Sequence, residues 1–506
     1  MKLTLLNKSL LTMCFSILIM SLIVPTVVVK ARIKSQKNET TLGVAFIPSG
    51  FNTVISDNGV VLYKKDHVGG QPDFVQAASL KQGASVRLLN GNISDPGTGQ
   101  GPYGGNDPTL QRTSLQIAWN GFVSSNTDAF CITNGQFFSP NPDPTPLAFP
   151  LKKNGVILSD GYDSDNPIYG QKLLMLEIWG NRADIRALTK NALYSSSAPN
   201  ILGGLSEDYP KGATNTGRTF AGIDDTDGNG TYDKIFIFNS KSASQTNAAR
   251  VLRDFGADKV IMVDGGGSTQ LNCRGTTYVS STRTIPQTIG IVASGFNSQF
   301  ANNAPRWTPL NGNWSVLTAG YYHSVGIPNT FTSTMHSNNY STITYTVKMR
   351  ETGCANCGIY IYFRGSPFPI SAENRWNDAY VLEYVNSGYY WIGMAQNGQA
   401  VTFVDWTYSP VITSSWNILK VTANGNFIQF FINGTRVAYG NLSNFSTGQV
   451  GIGFWRDTSP GNHLYVDWAT LNKTAPSAIV AEEGILINEL DARVAPGAME
   501  GPRFTP

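Results

Sequence analysis

The sequence predicts an α+β domain followed by an all-β jelly-roll sandwich. Three observations carry that expectation. Between residues 41 and 294, apolar runs such as VVLYKK, SVRLLN, AFCIT, KLLMLEIWG and KIFIFNS read as strands, with few helical stretches among them. One helix, 242–255, spaces Ala248, Val251, Leu252 and Phe255 at helical intervals and ends at Gly256. It leads at once into the strand 260–263, an αβ unit. From 306 to 471, by contrast, short alternating strands recur between Gly, Asn and Ser turns, and almost nothing reads as helix.

At 506 residues the chain is too long for one ordinary domain. We divide it into a leader or membrane anchor (1–31), the α+β domain (41–296), the sandwich (306–472) and an unassigned tail (473–506), with an Asn-rich connector at 297–305. The leader carries Lys2 and Lys8 before an apolar run at 10–29. Lys30 and Arg32 flank Ala31, the small residue at the cleavage position, so an uncleaved anchor is the alternative. Either reading puts the protein outside the cytoplasm, secreted or at the cell surface. The net charge is +3 with 14% charged residues, which excludes a nucleic-acid surface. Four cysteines lie beyond the leader: Cys131, Cys273, Cys354 and Cys357. An even number in an exported chain points to disulfides. Cys131 and Cys273 adjoin the two strongest motifs, and Cys354–Cys357 reads as a local bridge at a turn.

The strongest motif is VIMVDGGGSTQL, 260–271. Its strand ends in Asp264, and Gly265, Gly266, Gly267, Ser268 and Thr269 follow. Successive glycines bend the backbone sharply and offer N–H groups that a ligand can approach closely. Asp264 is the candidate catalytic carboxylate. Four further segments accompany it: CITNGQFF with Asn134, the glycine-rich turn NILGG at 200–204, GRTFAGID with Arg218, and Arg283 before TIGIVAS. His67 stands alone and the other histidines lie in the second domain, which disfavours a Ser–His triad or a His-ligated metal. A separate loop, DDTDGNGTYD, spaces Asp225, Asp227, Asn229, Thr231 and Asp233 as oxygen ligands around a turn glycine, the pattern of a structural calcium loop. It has Phe236 where a full EF-hand places Glu.

NGQFF, GG, RTFAG, DGGGST and Arg283, in that order, resemble the phosphodiester glycosidase family over about 41–294. The resemblance implies an α+β fold on a mixed sheet, with these motifs gathered at one site. It also implies hydrolysis of a sugar phosphodiester or related glycosidic bond in a surface or extracellular glycan, with no cofactor needed for the chemistry. Asp264 would face an anomeric carbon. Arg218, Arg283 and the glycine N–H groups would meet an anionic leaving group, and Asn134 would orient the sugar. Phe137 and Phe138 read as core before sugar platform. Residues 306–471 resemble laminin-G and concanavalin-like sandwiches in pattern, which implies a glycan-binding accessory domain with Trp376, Trp391, Trp406 and Trp455 as candidate stacking residues. A non-catalytic glycan-binding or adhesion protein is the rival reading.

Overall fold

Strand Lys234–Ala243 is buried at nearly every position, so both of its faces are covered. Its neighbours show why. The computed structural model describes residues 47–126, 128–210, 214–473, 484–489 and 492–494. The elements that build the site and its supports are β1 (Asp73–Ser79), α1 (Leu115–Ser125), β2 (Ala129–Asn134), α2 (Lys190–Ser195), β3 (Asn200–Leu205), β4 (Thr216–Asp224), β5 (Lys234–Ala243), α3 (Gln245–Asp254), β6 (Lys259–Met262), β7 (Leu271–Cys273), β8 (Gln287–Val292), β9 (Gly295–Ser298), β10 (Ile343–Thr352) and β11 (His463–Asn472).

An 11-stranded sheet holds β1, β5, β4, β6 and β3 side by side in that order. A 5-stranded sheet holds β7, β2 and β8. Ala221, Ile237 and Ile261 from the first sheet meet Phe130, Leu271 and Ile289 from the second in one shared core. The outer face of the large sheet is covered by α3, whose Ala248, Val251 and Leu252 pack on Phe220, Phe236 and Met262. Ser244 caps that helix, its side chain accepting from Asn247 N–H. On the far side, α1 lays Leu115, Trp119 and Phe122 over Ile132 and Val292.

The expected α+β class and mixed sheet do not hold. Strands dominate the described residues, and neighbouring strands in both sheets run antiparallel. The reason lies in the crossovers. Helix α3 joins β5 to β6, and α2 joins Ala183–Ala187 to β3. Each connection skips one strand, so the parallel partners never become hydrogen-bonded neighbours. The segment NILGG is likewise no turn. Gly203 and Gly204 lie inside β3, where a Cβ on Gly203 would come within 2.8 Å of Phe149 and Pro150.

Strand β9 and the chain from Trp307 onward form two further sheets, of nine and eight strands, around a core that includes Tyr345, Val347, Ile361, Leu382 and Phe430. Trp376 and Trp391 are fully buried, Trp376 stacked on Tyr362 at 4.5 Å, so neither offers a face to a ligand; Trp406 and Trp455 are half-buried. The two halves interlock. Strand β9 pairs with β11, Gly295 opposite Asn472. Beside that seam the buried Asp128 accepts from Asn338 Nδ2 and Lys473 Nζ, each at 2.6 Å, and from Arg306. Asp57 pairs with Arg274 and Arg306. Cys131 and Cys273, directly opposite in β2 and β7, are disulfide-bonded, as are Cys354 and Cys357. The leader or anchor expected at 1–31 and most of the tail lie outside the described residues, and no helix among those described is long and apolar enough to cross a membrane.

Replacing Asp128 with Ala takes this acceptor from Lys473 and Asn338, while Arg306 keeps its pair with Asp57. We expect a loss of about 3 kcal/mol in chemical denaturation.

Candidate functional site

Strand β6 ends at Met262, which lies opposite Phe220. Val263 N–H still donates to Thr219 O at 3.1 Å, and then the chain leaves the sheet. The turn then lies beside β4: a Cβ on Gly265 would stand 2.7 Å from Gly217 O and 3.7 Å from Arg218 Cα. Arg218 pairs with Ser240 on its other side, and Ser240 with Asp73. One row, Asp73–Ser240–Arg218, therefore crosses β1, β5 and β4 at a spacing of about 4.8 Å per strand, and the turn after Asp264 lies beside its end. Two residues along, Val75, Phe238, Phe220 and Met262 all belong to the core on the α3 face, so the row shares that face.

The glycine turn folds back against this row. Gly266 takes φ +58°, a left-handed conformation suited to glycine. A Cβ on Gly217 would come within 2.1 Å of Gly266 O, so the residue before Arg218 lies directly against the turn. The Arg283 guanidinium also lies against the turn, 2.9 Å from where a Gly267 Cβ would stand, and its Nη1 reaches Ser268 Oγ at 3.4 Å. Gln270 Nε2 holds Arg283 O at 2.9 Å. Gly265 N–H donates to Asp264 Oδ1, Ser268 N–H to Gly265 O and Thr269 N–H to Gly266 O. Those amides are spent within the turn, and the Gly266 and Gly267 amides lie outside these pairings. Ser268 and Thr269 are fully buried beneath it. Arg218 is also buried, which lowers the pKa of its guanidinium.

Asn134 supports the turn from below. It is 1% exposed. Its Nδ2 donates to Asp264 O at 2.6 Å, while Oδ1 accepts from Thr219 Oγ1 at 2.9 Å and Gln270 N–H at 3.1 Å. Thr133, Asn239 and Gln76 continue the network between the sheets. Asn134 thus holds the Asp264 backbone in place.

Residues 113–292 match the phosphodiester glycosidase family. The match takes in Asn134, Arg218, the Asp264 turn and Arg283, and stops short of residues 306–472, where the laminin-G or concanavalin resemblance rests on pattern alone. No curated protein matches the chain. Among solved structures, the catalytic domain of zebrafish N-acetylglucosamine-1-phosphodiester alpha-N-acetylglucosaminidase, auto-inhibited by its pro-peptide, is 13% identical, with TM-score 0.32, covering 48% of this chain and 82% of that one. A carbohydrate-binding module (CBM66) from Bacillus subtilis is 19% identical, with TM-score 0.28, covering 34% and 97%. A Bacillus licheniformis beta-glucanase is 11% identical, with TM-score 0.30, covering 36% and 99%. At these identities and scores the three likenesses carry no argument about activity.

Beside the phosphodiester glycosidase motifs the structure brings residues that the motifs did not name. The half-exposed Tyr162 has its phenol pKa raised by burial and by the negative charges of Asp163, Asp107 and Asp264. Asp107 and Asp264 therefore lie within electrostatic reach of one phenol. Backbone bonds tie their segments together. Tyr162 N–H donates to Leu147 O, Leu147 bridges Phe138, and Asp264 N–H donates to Gly135 O at 2.9 Å. Burial and the neighbouring Asp160 carboxylate push the Asp107 carboxyl up to about 6, against a hydrogen bond from Ser159. Its only sequence signal was its place in the Gly- and Asn-rich loop 91–109. His67 is not isolated either: its Nε2 lies 2.9 Å from Oδ2 of the buried Asp73, at the far end of the row. A polar cavity of about 370 Å³ opens there, lined by His67, Asp73, Asn215, Ser242 and Asn247. Phe137 and Phe138 are half-buried, Phe137 edge-on to Phe149 at 5.6 Å.

The loop 225–233 connects β4 to β5. Asp225 accepts from the Gly228, Asn229 and Gly230 amides, Asn229 Oδ1 from Thr231 N–H, and Asp233 Oδ1 from Thr226 Oγ1, while Asp227 pairs with Lys81 at 3.0 Å. Six residues separate Arg218 from Asp224 along β4, so this loop stands about 20 Å from the row.

Replacing Asn134 with Ala leaves the Gln270 amide and Asp264 carbonyl without their partner. We expect about 1–3 kcal/mol of destabilisation by denaturant titration. Asp107 carries a second expectation. Its folded pKa lies above the unfolded value, so the folded state binds the extra proton between about pH 4 and 6, and this group's contribution to stability declines as pH rises through that window. Asp107→Asn should flatten that part of a melting-temperature profile.

Proposed function

We propose that this protein is an exported glycosidase that hydrolyses a sugar phosphodiester or related glycosidic bond in an extracellular glycan. The observation that carries the reading is one carboxylate, Asp264, on a tight glycine turn that lies against both the Gly217–Arg218 backbone and the Arg283 guanidinium. The family match over the same residues supports it, and two disulfides support export.

In this reaction the bond between the anomeric carbon and the leaving oxygen breaks, and water supplies the new hydroxyl at that carbon. Asp264 stabilises or captures the oxocarbenium-like centre. The leaving phosphate carries negative charge, which Arg218, Arg283 and the Gly266 and Gly267 amides meet. Asp107, protonated near pH 6, supplies the proton that a less acidic leaving group needs. No cofactor enters these steps. Calcium in the 225–233 loop would serve structure, given its distance from the row. The half-buried Trp406 and Trp455 are the candidates for sugar stacking in the second half.

The test incubates wild type and Asp264→Ala with an α-N-acetylglucosamine 1-phosphodiester and with anionic glycans. We expect sugar release by wild type and a loss of about a thousandfold in the variant. If neither protein releases sugar, yet both bind glycan equally, the chain is a binding protein instead. Asp107 adds a pH signature: kcat/KM should decline as pH rises through about 6, and Asp107→Asn should erase that limb.

A further inference from the structure

Strand β10, sequence ITYTVKMRET, turns alternate side chains to opposite faces of the nine-stranded sheet. Ile343, Tyr345, Val347 and Met349 fill the core of the second half. The other set, Thr344, Thr346, Lys348 and Arg350, faces away from that core, and each is half-buried. The register carries this outer face onto both neighbours. Arg350 lies opposite Tyr465 in β11, and Thr346 opposite Lys420 in strand Asn417–Asn424.

Arg350 stands among rings. Its guanidinium lies 4.8 Å from the Trp416 ring and 5.1 Å from the Tyr465 ring. Tyr321 packs beside Trp416 at 5.3 Å and edge-on to Tyr465 at 6.3 Å. Lys348 Nζ lies over Trp416 at 5.4 Å. Trp416, Tyr321 and Tyr465 are each half-buried, so part of every ring stays open to solvent. Stacking on ring faces engages the plane of a guanidinium and leaves the N–H groups at its edge for an oxyanion.

The charges on this face do not balance. Across β10, β11 and Asn417–Asn424 the acidic residues are Asp467 and the inward-facing, buried Glu351. Asp467 pairs with Lys348 at 2.8 Å. Among the described residues neither the Arg350 nor the Lys420 side chain has an ion pair or a hydrogen-bond acceptor, and Arg350 Nε is buried without one. Four residues along the strand and one strand across separate these two cations, a span of about 14 Å. One small anion cannot bridge that span, but a polymer with repeated anionic groups can. Half-buried rings beside the cations take the apolar face of a sugar. None of the exposed large apolar residues stands on these three strands, so the face offers nothing to insert into a bilayer.

We propose that this outer face of the nine-stranded sheet binds a phosphate-bearing polysaccharide, with sugars against Trp416, Tyr321 and Tyr465 and phosphates at Arg350 and Lys420. The choice of phosphate rests on the reading above, in which the substrate is a sugar phosphodiester. The surface then holds the polymer whose bonds the first half cleaves. Trp406 and Trp455 belong to the eight-stranded sheet, so this is a separate surface.

The test measures binding of the full chain to phosphomannan and to the same mannan stripped of its phosphates. We expect wild type to bind the phosphorylated polymer at least tenfold more tightly. Arg350→Gln should weaken phosphomannan binding about tenfold. Trp416→Ala, just before its strand, should weaken it by a similar factor, and it keeps the test decisive if the Arg350 variant misfolds. Neither change should alter release of sugar from a small α-N-acetylglucosamine 1-phosphodiester. The proposal fails if wild type binds the two mannans equally, or if both variants hold phosphomannan as tightly as wild type. It fails equally if anionic lipid vesicles or a single-stranded oligonucleotide bind as tightly as phosphomannan and lose that affinity in the same variants. A wild type that binds phosphomannan through this face, yet releases no sugar from any phosphodiester, supports the surface and overturns the hydrolase reading alone.

Discussion

A single buried amide, the Asn134 side chain, joins the parts that the site needs. It reaches the Asp264 carbonyl, the Thr219 hydroxyl and the Gln270 amide at once. Three chain segments from two sheets therefore meet on one group that water cannot replace. An amide suits the position because it donates and accepts on one rigid plane. Aspartate, deprotonated, would lose the donor to Asp264 O, and leucine would lose every bond. The turn above inherits its placement from this network, Arg218 is set beside it by β4, and Arg283 is held there through Gln270.

This also explains which features the sequence disclosed. The Asp264 turn was legible because a buried strand ending in Asp and three glycines is a local pattern. Helix α3 was legible from its periodicity. Sheet type was not, because antiparallel neighbours arise from crossovers that skip a strand, and nothing in the apolar runs records the skipping. NILGG misled because glycine marks close packing as well as turns: Phe149 and Pro150 press on Gly203 inside a strand. Asp107 carried no motif at all. Its raised pKa arises from burial and from Asp160, more than fifty residues away in sequence, and only the folded loop unites them. Asn134 was found by its motif, but its role depends on contacts 85 and 130 residues away.

The seam between the halves is held by charge as well as by strand pairing. Asp57 and Asp128 lie beneath three cations, Arg274, Arg306 and Lys473, drawn from both halves. Buried ionic groups of this kind set geometry more than they add stability, because each desolvated charge demands a partner in one place. The cations come from the first half (Arg274), the start of the second (Arg306) and the residue just after β11 (Lys473). A shift of one half against the other would strand a charge.

The pairing of β9 with β11 bears on how such a chain can be rearranged in evolution. β9 directly follows the last strand of the first half, yet it lies in the second half's sheet. A recombination break drawn at the connector would carry that strand away with the wrong partner. The remaining sheet would expose an unpaired edge of backbone donors and acceptors, which invites assembly with other chains. The two halves therefore travel as one inheritable unit, and their border is a shared strand rather than a linker.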